Sequence, residues 1–499
     1  MILEALEVLL TVENLALIFI GVVFGILAGS IPGFTGTNTV AIALPFTLPM
    51  TAEIALVFLS AIYVGANYGG AIPAVLINTP GTAGATATVL DAYPMSQKGE
   101  ASKALGISIL ASTIGGLLAA VAILLLLDPI GQLAFMFTNR EIFVLGLFGL
   151  AAVAAAIGDN IRKGLVAGFL GLLIAAMPVD PTTGQRRLDF GYFALYDSVP
   201  FVPVVVGLFA ISELFYLINK KAISSDTDIK TSYRDILSGF VYVIRRPIDV
   251  VRAATIGLVI GSMPGAGTSV ANFVSWGIAK TQSDKPEEFG KGNPQGVIAS
   301  EGSNSAVTAG SLVPTLALGI PGSGTTAVML AALLLHGVRP GPELMQDFAL
   351  EANIIILSLL VANVALVIFA LAISKYLVRV VTLPAHMLVP AILVLTVIGA
   401  YAMRSSLFDV WLMFLFGIIG FVMRENDYSL IPIILGVILG PIIEGAFLRS
   451  MLISRQDPTY FFEGTIAIIL WIAIVVVFIT EPAINLLRGV WQSRSDGSA

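Results

Sequence analysis

The sequence predicts an all-α polytopic membrane protein built from two inverted repeats with broken helices. Three observations support this prediction: the composition, the length of the apolar runs, and the paired interruption of those runs by proline and glycine. Of the 499 residues, 57% are hydrophobic and 12% are charged, whereas about a quarter of the residues of a soluble protein are charged. The mean hydropathy is +0.95. A soluble fold cannot bury that much apolar surface, so lipid must cover most of the chain.

The same composition excludes several classes of protein. The chain contains no cysteine, which excludes a secreted disulfide scaffold. Its net charge is −6 and it has no run of five basic residues, which excludes a nucleic-acid binder. The first apolar run follows Glu4, Glu7 and Glu13 and no basic residue, so we do not expect it to be a cleavable signal peptide.

The apolar runs predict about 11 to 14 crossings or half-crossings, because a spanning helix needs about 20 mostly apolar residues. One run, 306–338, is too long and too interrupted for a single span. The predicted runs are 15–29, 52–76, 104–127, 141–157, 163–178, 199–219, 253–278, 306–338, 352–374, 385–403, 407–423, 430–447 and 464–487.

The distribution of charge predicts three parts of the chain. Residues 1–219 form a first transmembrane repeat, and residues 253–499 form a second repeat with additional C-terminal helices. Residues 220–252 form a polar connector that carries seven basic residues, and the positive-inside rule places it in the cytoplasm. The sequence leaves open on which side of the membrane the N-terminus lies. Its lack of basic residues favours the outside, whereas an even number of spans, six, before a cytoplasmic connector favours the inside.

An internal repeat relates the two halves. Gly29–Gly33 and Gly261–Gly265 agree at four of five positions, 232 residues apart. A second pattern, Gly-x3-Pro-x6-Pro-Gly, occurs at 69–81 and again at 310–322, 241 residues apart. The larger offset fits a polar insertion at about 279–296 in the second half. Repeats with interrupted helices in corresponding places are typical of secondary transporters.

The interrupted stretches have the chemistry of an anion site. Each has proline and glycine followed by small hydroxyl or amide residues and an apolar run, which is how a helix begins. A helix that begins inside a membrane has unpaired N–H groups and a positive dipole end, which favour an anion. The predicted substrate-binding residues are Asn78, Thr79, Pro80, Gly81, Thr82, Gly319, Pro321, Gly322, Ser323, Gly324, Thr325 and Thr326.

The other two interrupted stretches are predicted to bind coupling cations, because unwound carbonyl groups can coordinate Na⁺. No interrupted stretch contains lysine or arginine. The alternative interpretation is that all four stretches are ordinary loops between helices. The predicted ion-binding residues are Gly33, Thr35, Thr37, Asn38, Gly265, Gly267, Thr268 and Ser269.

Other polar residues in apolar surroundings have two interpretations each. Glu301 and Glu444 are candidates for proton or cation handling, and a position at the membrane edge explains both equally well. His336 and His386 are the only histidines, and interfacial positions explain them; two distant histidines do not define a metal site. The charged segment that begins at Asp91 is predicted to be a solvated turn.

The motifs resemble those of the large membrane subunit of the tripartite tricarboxylate transporters, the TctA family. The resemblance rests on long segments in conserved order, from about residue 15 to about residue 480. They are Gly29–Gly33, Tyr63–Gly70, Asn78–Gly81, Leu90–Met95, Gly261–Gly265, Glu301–Ser305 and Leu318–Gly322.

The resemblance implies a multi-pass permease in the bacterial inner membrane. Its partners would be a small membrane subunit of about four helices and a periplasmic solute-binding protein. Its substrates would be small di- or tricarboxylates, and Na⁺ would be the coupling ion, with no further cofactor. The sequence has no G-x-x-x-x-G-K-[ST] motif, which agrees with ion-driven transport. The paired tips are also similar to those of divalent anion/sodium symporters, and this analogy implies re-entrant hairpins and an elevator-like architecture.

Two other classes of function compete with a carrier. A carboxylate channel usually closes its pore with oligomeric rings, whereas an internal repeat with broken helices suits alternating access. An intramembrane protease needs a pair of catalytic aspartates, or a serine with a histidine. Tyr196-Asp197 lacks a correct partner motif, and Ser323 with His336 is a poor match because Ser323 has a counterpart in Thr82. The sequence therefore predicts a transporter and not an enzyme.

Overall fold

The computed structural model describes most of the chain. One predicted ion-binding residue, Gly265, lies outside the described residues, as do Asp197 and residues 220–231 of the connector. The described residues are 2–31, 33–134, 136–156, 161–177, 186–188, 191, 195–196, 199–219, 232–264, 267–381 and 385–479.

The described part of the chain is helical, which confirms the predicted all-α class. Helices α10 and α11 are joined by one π-helical turn, Gly207–Ile211. In chain order the helices are α1 (Ile2–Leu9), α2 (Val12–Gly29), α3 (Gly36–Ala43), α4 (Ala52–Gly69), α5 (Ala71–Ile77), α6 (Thr86–Gln97), α7 (Ala101–Ala134), α8 (Asn139–Ala156), α9 (Ile161–Ala175), α10 (Phe201–Val206), α11 (Ser212–Asn219), α12 (Tyr233–Ile244), α13 (Pro247–Gly261), α14 (Gly267–Gln282), α15 (Pro294–Gly310), α16 (Leu312–Leu318), α17 (Gly324–Leu335), α18 (Pro342–Asp347), α19 (Ala349–Val381), α20 (Ala385–Arg404), α21 (Leu407–Glu425), α22 (Leu430–Ile453) and α23 (Thr465–Ile479).

Among the described residues, seven helical segments are long and apolar enough to cross a membrane, which agrees with a multi-pass membrane protein. Three shorter apolar helices accompany them: Gly324–Leu335, Val389–Arg404 and Thr465–Ile479. The exact number of crossings stays a prediction. The seven segments are Val12–Gly29, Ala52–Ile77, Ala101–Leu127, Phe201–Ile218, Ala349–Ser374, Leu407–Glu425 and Leu430–Ile453.

Two compact units divide the structure. Unit 1 comprises Met1–Ala134 and Val202–Val422, and unit 2 comprises Phe135–Phe201 and Met423–Ala499. All the interrupted stretches singled out in the sequence belong to unit 1. The division of the sequence into two repeats and a connector is a separate matter and stays a prediction.

In unit 1, α2 packs closely on α4 because glycines remove side chains from the interface. A Cβ atom at Gly25 would lie 2.7 Å from the backbone nitrogen of Ala66, and one at Gly29 would lie 2.9 Å from the Cα atom of Ala66. Such distances are shorter than real Cβ contacts. Small residues let membrane helices approach in this way, where lipid provides little hydrophobic drive for their association.

The second half of unit 1 contains the corresponding interface between α13 and α15. A Cβ atom at Gly257 would lie 2.9 Å from the Cα atom of Ser303, and one at Gly261 would lie 2.9 Å from the Cα atom of Val307. Gly257 and Gly261 follow Gly25 and Gly29 by 232 residues, and Val307 follows Ala66 by 241. The two sequence offsets therefore relate equivalent contacts, and the inverted relation between the halves stays a prediction.

Two predicted apolar runs are not continuous helices. The run 253–278 contains the interrupted stretch 264–269 and forms two helices: α13 ends at Gly261 and α14 begins at Gly267. Ser262 ends α13, and the proline that follows shortly after cannot continue a helix. The run 306–338 is broken, as expected, into the end of α15, α16 and α17.

Asp91 is not part of a solvated turn, and that prediction is wrong. Its side chain is fully buried on α6. Its Oδ1 atom accepts hydrogen bonds from the backbone N–H groups of Gly290, Gly292 and Asn293, at 2.8, 3.0 and 2.8 Å. Its Oδ2 atom accepts one from Trp276 Nε1 at 2.7 Å. Asp91 therefore fastens the polar insertion of the second half to a helix of the first half.

Unit 2 has its own glycine-mediated interface. Helix α22 packs against α8 and α9, and a Cβ atom at Gly171 would lie 2.9 Å from the Cα atom of Gly436. Glu444, on α22, accepts a hydrogen bond from the guanidinium group of Arg187. Glu444 is thus an ion-paired residue of unit 2, and the pair gives its charge a structural explanation.

We expect Gly25→Ala to destabilise the protein by about 1–3 kcal/mol, because its Cβ atom would collide with the α4 backbone. The matched control is Gly277→Ala on α14, where no atom lies within 4 Å of the added Cβ. That control should be neutral or stabilising by about 0.5–1 kcal/mol, since alanine favours helix. Unfolding curves in detergent measure both changes. Equal melting of the two variants would contradict the close approach of α2 and α4.

Candidate functional site

Two tips interrupt the helices of unit 1: the first tip is residues 78–85 and the second tip is residues 319–326. Asn78 ends α5 with a φ of 57°, and Gly319 ends α16 with a φ of 70°, both in the left-handed region. The N–H of Thr79 donates to the carbonyl of Pro73 at 3.3 Å. At the equivalent position, the N–H of Ile320 donates to the carbonyl of Pro314 at 3.1 Å. The two repeats therefore turn the chain in the same way.

The second tip is capped as a helix start. Ser323 Oγ accepts from the N–H of Thr326 at 3.2 Å, and Thr326 Oγ1 accepts from the N–H of Ser323 at 2.9 Å. This capping box uses two of the N–H groups of the helix end. The N–H groups of Gly324 and Thr325 have no intrahelical acceptor, because they lie in the first turn. They are the donors that the second tip can offer to an anion.

The first tip is less well satisfied. A short 3-10 turn, Ala83–Ala85, precedes α6, and Thr86 Oγ1 donates to the carbonyl of Ala83 at 2.8 Å. Thr82 is buried, and among the described residues its Oγ1 atom has no hydrogen-bond partner. A buried hydroxyl without a partner is costly. The Thr82 hydroxyl is therefore the clearest unused donor of the two tips.

Gly81 and Gly322 have a packing role as well as a place in the predicted substrate site. A Cβ atom at Gly81 would lie 2.5 Å from the carbonyl oxygen of Gly29. One at Gly322 would lie 2.6 Å from the Cα atom of Ser311. Bulky substitutions at these glycines would disturb the backbone itself, so they do not isolate an effect on anion binding.

Each predicted ion-binding stretch contacts the tip of the opposite half. Thr37 Oγ1 lies 3.2 Å from Thr325 Oγ1 of the second tip. Ser269 Oγ donates to the carbonyl of Ala83 in the first tip at 3.0 Å, and Asn272 Nδ2 donates to the carbonyl of Gly84. The structure therefore brings the four stretches together as two crossed pairs.

The crossed contacts obey the repeat. A Cβ atom at Gly36 would lie 3.3 Å from Thr325 Oγ1, and one at Gly84 would lie 3.1 Å from Thr268 Oγ1. Thr268 follows Gly36 by 232 residues, and Thr325 follows Gly84 by 241. Exchanging the halves therefore converts one contact into the other, as expected if a two-fold axis relates them.

Polar residues of α4 and α15 lie between the tips. Asn67 Nδ2 donates to the carbonyl of Asn304 and to Thr308 Oγ1, both at 2.8 Å. Tyr63 Oη lies 2.9 Å from Ser311 Oγ and 3.2 Å from Ser323 Oγ of the second tip. Sequence reasoning assigned these residues no role, although Tyr63 and Asn67 lie in a segment that carried the family resemblance.

The other predicted residues occupy varied environments. Asn78 is exposed, and Asn38 is buried at the start of α3, where its N–H donates to the cap residue Thr35 at 3.3 Å. Gly33 has a φ of 89°, a conformation that favours glycine. Gly267 is the first residue of α14. Thr79 and Pro80 are half-buried, and Pro321 is buried.

Glu301 is fully buried on α15. Its Oε1 atom accepts a hydrogen bond from Thr88 Oγ1 of α6, and its Oε2 atom accepts one from Ser112 Oγ of α7 at 2.9 Å. Thr88 and Ser112 were not singled out in the sequence, because their proximity to Glu301 depends on the packing of three helices.

The structure gives no support to a serine–histidine pair. Ser323 Oγ is close to Tyr63 and Thr326, whereas His336 Nε2 lies 3.0 Å from Thr47 Oγ1. Within the described part of the chain, no group of three or more histidine or acidic residues is placed to hold a metal ion.

Comparisons with known proteins extend these observations. A model of the tripartite tricarboxylate transporter TctA family matches residues 15–435. Over 464 residues the chain is 34% identical to an uncharacterized 52.8 kDa protein in the TAR-I ttuC' 3' region of Agrobacterium vitis, covering 92% of this chain and 91% of the relative. Over 211 residues it is 36% identical to an uncharacterized protein in the TAR-II ttuC' 3' region of the same organism, covering 42% of this chain and 87% of that relative. No solved structure matches the chain.

A double-mutant cycle tests the contact between Thr37 and Thr325. We expect Thr37→Val and Thr325→Val to be non-additive, with a coupling energy of about 0.5–1.5 kcal/mol, because each single change removes the same hydroxyl–hydroxyl interaction. The free energy of unfolding of the four proteins gives the coupling. Thr281→Val on α14, whose hydroxyl bonds only to its own helix at Ile278, should combine additively with Thr37→Val. Additivity of the first pair would contradict the crossed arrangement.

Proposed function

Because the chain belongs to the tripartite tricarboxylate transporter TctA family, we propose that it is the permease subunit of a binding-protein-dependent secondary transporter. It takes up small di- or tricarboxylates across the bacterial inner membrane, coupled to a cation gradient. The observation that carries this proposal is the crossed pairing of the four interrupted stretches. Each tip has the chemistry of an anion site and contacts a stretch with the chemistry of a cation site.

The carboxylate binds against the two tips. A dianion that enters a buried site needs strong electrostatic compensation, and neither tip contains lysine or arginine. The positive ends of α6 and α17 each provide the equivalent of roughly half a charge. The N–H groups of Gly324 and Thr325 and the hydroxyl of Thr82 provide hydrogen bonds that are not used within the tips.

Cations provide the remaining charge, and we assign Na⁺ to this role. Hydroxyl, amide and backbone carbonyl oxygens are suitable ligands for a hard cation. They are available at Thr35, Thr37 and Asn38 in one stretch and at Thr268 and Ser269 in the other. A cation at Thr37 lies next to Thr325 of the second tip, and one at Ser269 lies next to Ala83 of the first. This proximity supports mutual stabilisation of cation and anion, which is the physical basis of coupled transport.

Two further components complete the transporter. The tripartite character of the family implies other subunits and a binding protein that delivers a carboxylate. We propose a small membrane subunit of about four helices and a periplasmic solute-binding protein. The binding protein concentrates the substrate before it reaches the tips, so the permease itself can bind the carboxylate weakly and release it readily.

Uptake into proteoliposomes that contain the chain and its membrane partner tests the proposal. We expect saturable uptake of some members of a panel of citrate, tricarballylate, succinate and tartrate, stimulated by an inward Na⁺ gradient. At micromolar substrate, uptake should also require the binding protein, because the tips alone bind the dilute carboxylate weakly. The matched control is the same preparation with equal Na⁺ on both sides. Non-saturable flux with unitary conductance would show a channel, and gradient-independent uptake would contradict cation coupling.

Thr82→Val tests the first tip. We expect the half-saturating carboxylate concentration to rise by about tenfold, or about 1.4 kcal/mol, since a hydrogen bond to a charged ligand is lost. Thermal stability should hardly change, because the Thr82 hydroxyl has no partner among the described residues and valine keeps its shape. Thr281→Val, far along α14, is the matched control and should leave uptake unchanged. A Thr82→Val variant with normal carboxylate affinity would remove this hydroxyl from the substrate site.

A further inference from the structure

Glu301 is a carboxyl group in the interior of unit 1 with an unusual set of neighbours. Its side chain is fully buried, and it accepts hydrogen bonds from two hydroxyl groups, Thr88 Oγ1 and Ser112 Oγ. A charged carboxylate in such a place is costly unless a cation or a proton neutralises it. Two neutral hydroxyls do not neutralise it.

Unused oxygen atoms surround the same carboxyl group. Ser108 and Asn304 lie beside it, and Tyr68 lies within range of its charge. Tyr68 Oη, Ser108 Oγ and Asn304 Oδ1 are buried and have no hydrogen-bond partner among the described residues. Asn304 Oδ1 is an acceptor only, and it lies next to Gly84 of the first tip.

The other helices that pack on α15 place no basic residue against this carboxyl group in the described part of the chain. Helix α4 contributes Tyr68, and α7 contributes Ser108 and Ser112. On α6, Asp91 is held by the insertion and by Trp276 of α14. On α13, Asp249 forms ion pairs with Arg246 and Arg252. Asp249 also accepts a hydrogen bond from Gln295, which lies almost two turns before Glu301 on α15.

We propose that Glu301 is a proton-binding site that controls the carboxylate affinity of the first tip. A proton from water adds to one carboxyl oxygen, removes the buried charge, and makes Glu301 a hydrogen-bond donor. The new O–H group lies beside the hydroxyl groups of Thr88 and Ser112, and a hydroxyl oxygen can accept its hydrogen bond. No covalent bond other than this O–H is formed or broken.

The site is connected to the first tip through two residues. Thr88 belongs to the first turn of α6, the helix that begins at the tip. Asn304 lies one turn along α15 from Glu301 and packs against Gly84 of the first tip. A Cβ atom added at Gly84 would collide with Asn304 Oδ1. A negative charge on Glu301 therefore opposes an anion at the tip, and a proton on Glu301 favours it. By linkage, binding of the anion must favour uptake of the proton to the same extent.

The repeat does not reproduce this site in the other half. The position 241 residues before Glu301 is Ser60, and the position 241 residues after Thr88 is Met329. Both are buried. The structure therefore assigns one proton site to the described part of each chain, on the side of the first tip only.

The test rests on the proposed function for its ligand and uses citrate with the full chain and its membrane partner in nanodiscs. Citrate affinity is measured between about pH 5 and pH 9 for the wild type, Glu301→Gln, Glu301→Asp and the exposed control Glu287→Gln. The ionisation of citrate itself is common to all four proteins and cancels in the comparison. Wild-type affinity should weaken as the pH rises and the proton is lost.

Glu301→Gln mimics the neutral form, so it should bind citrate about 5- to 150-fold more tightly than the wild type at alkaline pH. The pH dependence of its citrate affinity should be only that which the ionisation of citrate itself causes. Glu301→Asp should keep a titration, and Glu287→Gln should match the wild type throughout. Identical pH profiles of the wild type and Glu301→Gln would overturn the proposal.

Infrared difference spectra separate a failure of this proposal from a failure of the proposed function. Between alkaline and acid pH, without citrate, the wild type should gain a C=O band of a buried carboxyl group that Glu301→Gln lacks. Absence of that band would overturn the proton site, whatever citrate does. Presence of the band in a protein that does not bind citrate would support the proton site and count against the proposed function.

Discussion

The structure of unit 1 depends on one constraint: a helix that stops inside an apolar interior must have its backbone groups satisfied by protein. Each tip meets this constraint with hydrogen bonds inside its own half and with further groups from the opposite half. The carbonyls of Ala83 and Gly84 accept from Ser269 and Asn272, and the second tip is held by Tyr63. Because each tip also contacts an interrupted stretch of the other half, the four stretches form one polar assembly.

Much of this arrangement is local and could be predicted from the sequence. Helix interruption follows from proline and glycine, so the ends of α5 and α16 at Asn78 and Gly319 lie where the motifs place them. The offsets of 232 and 241 residues also predicted which residues of the two halves correspond, and the structure gives equivalent contacts at those positions. Membrane character followed from composition alone.

The remainder required tertiary structure. No sequence pattern indicates that Thr37 contacts Thr325 rather than its own half, because crossing of the stretches is decided by how α4 and α15 pack. Asp91 was expected in a solvated turn, since charged residues usually lie near solvent, and Glu301 was expected either to handle a proton or cation or to lie at the membrane edge. Their burial depends on partners from distant segments, Thr88 and Ser112 for one and the insertion backbone for the other. Gly81 shows a different limit: its sequence context fits anion binding, whereas its neighbours also require a glycine for packing.

The two tips differ from each other in their polar groups. The second tip has a complete capping box, whereas the first tip begins with a 3-10 turn and a buried Thr82 hydroxyl without a partner in the described part. Glu301 and its partner Thr88 also lie on the side of the first tip. At the equivalent positions the repeat has Ser60 in place of Glu301 and Met329 in place of Thr88. Equivalent glycine contacts give the two halves similar packing, whereas among the described residues the Thr82 hydroxyl lacks the partners that its counterpart Ser323 has, and the Glu301 carboxyl group has no equivalent in the other half. If the tips bind a carboxylate as proposed, a proton on Glu301 and an anion at the first tip stabilise each other on this side of unit 1.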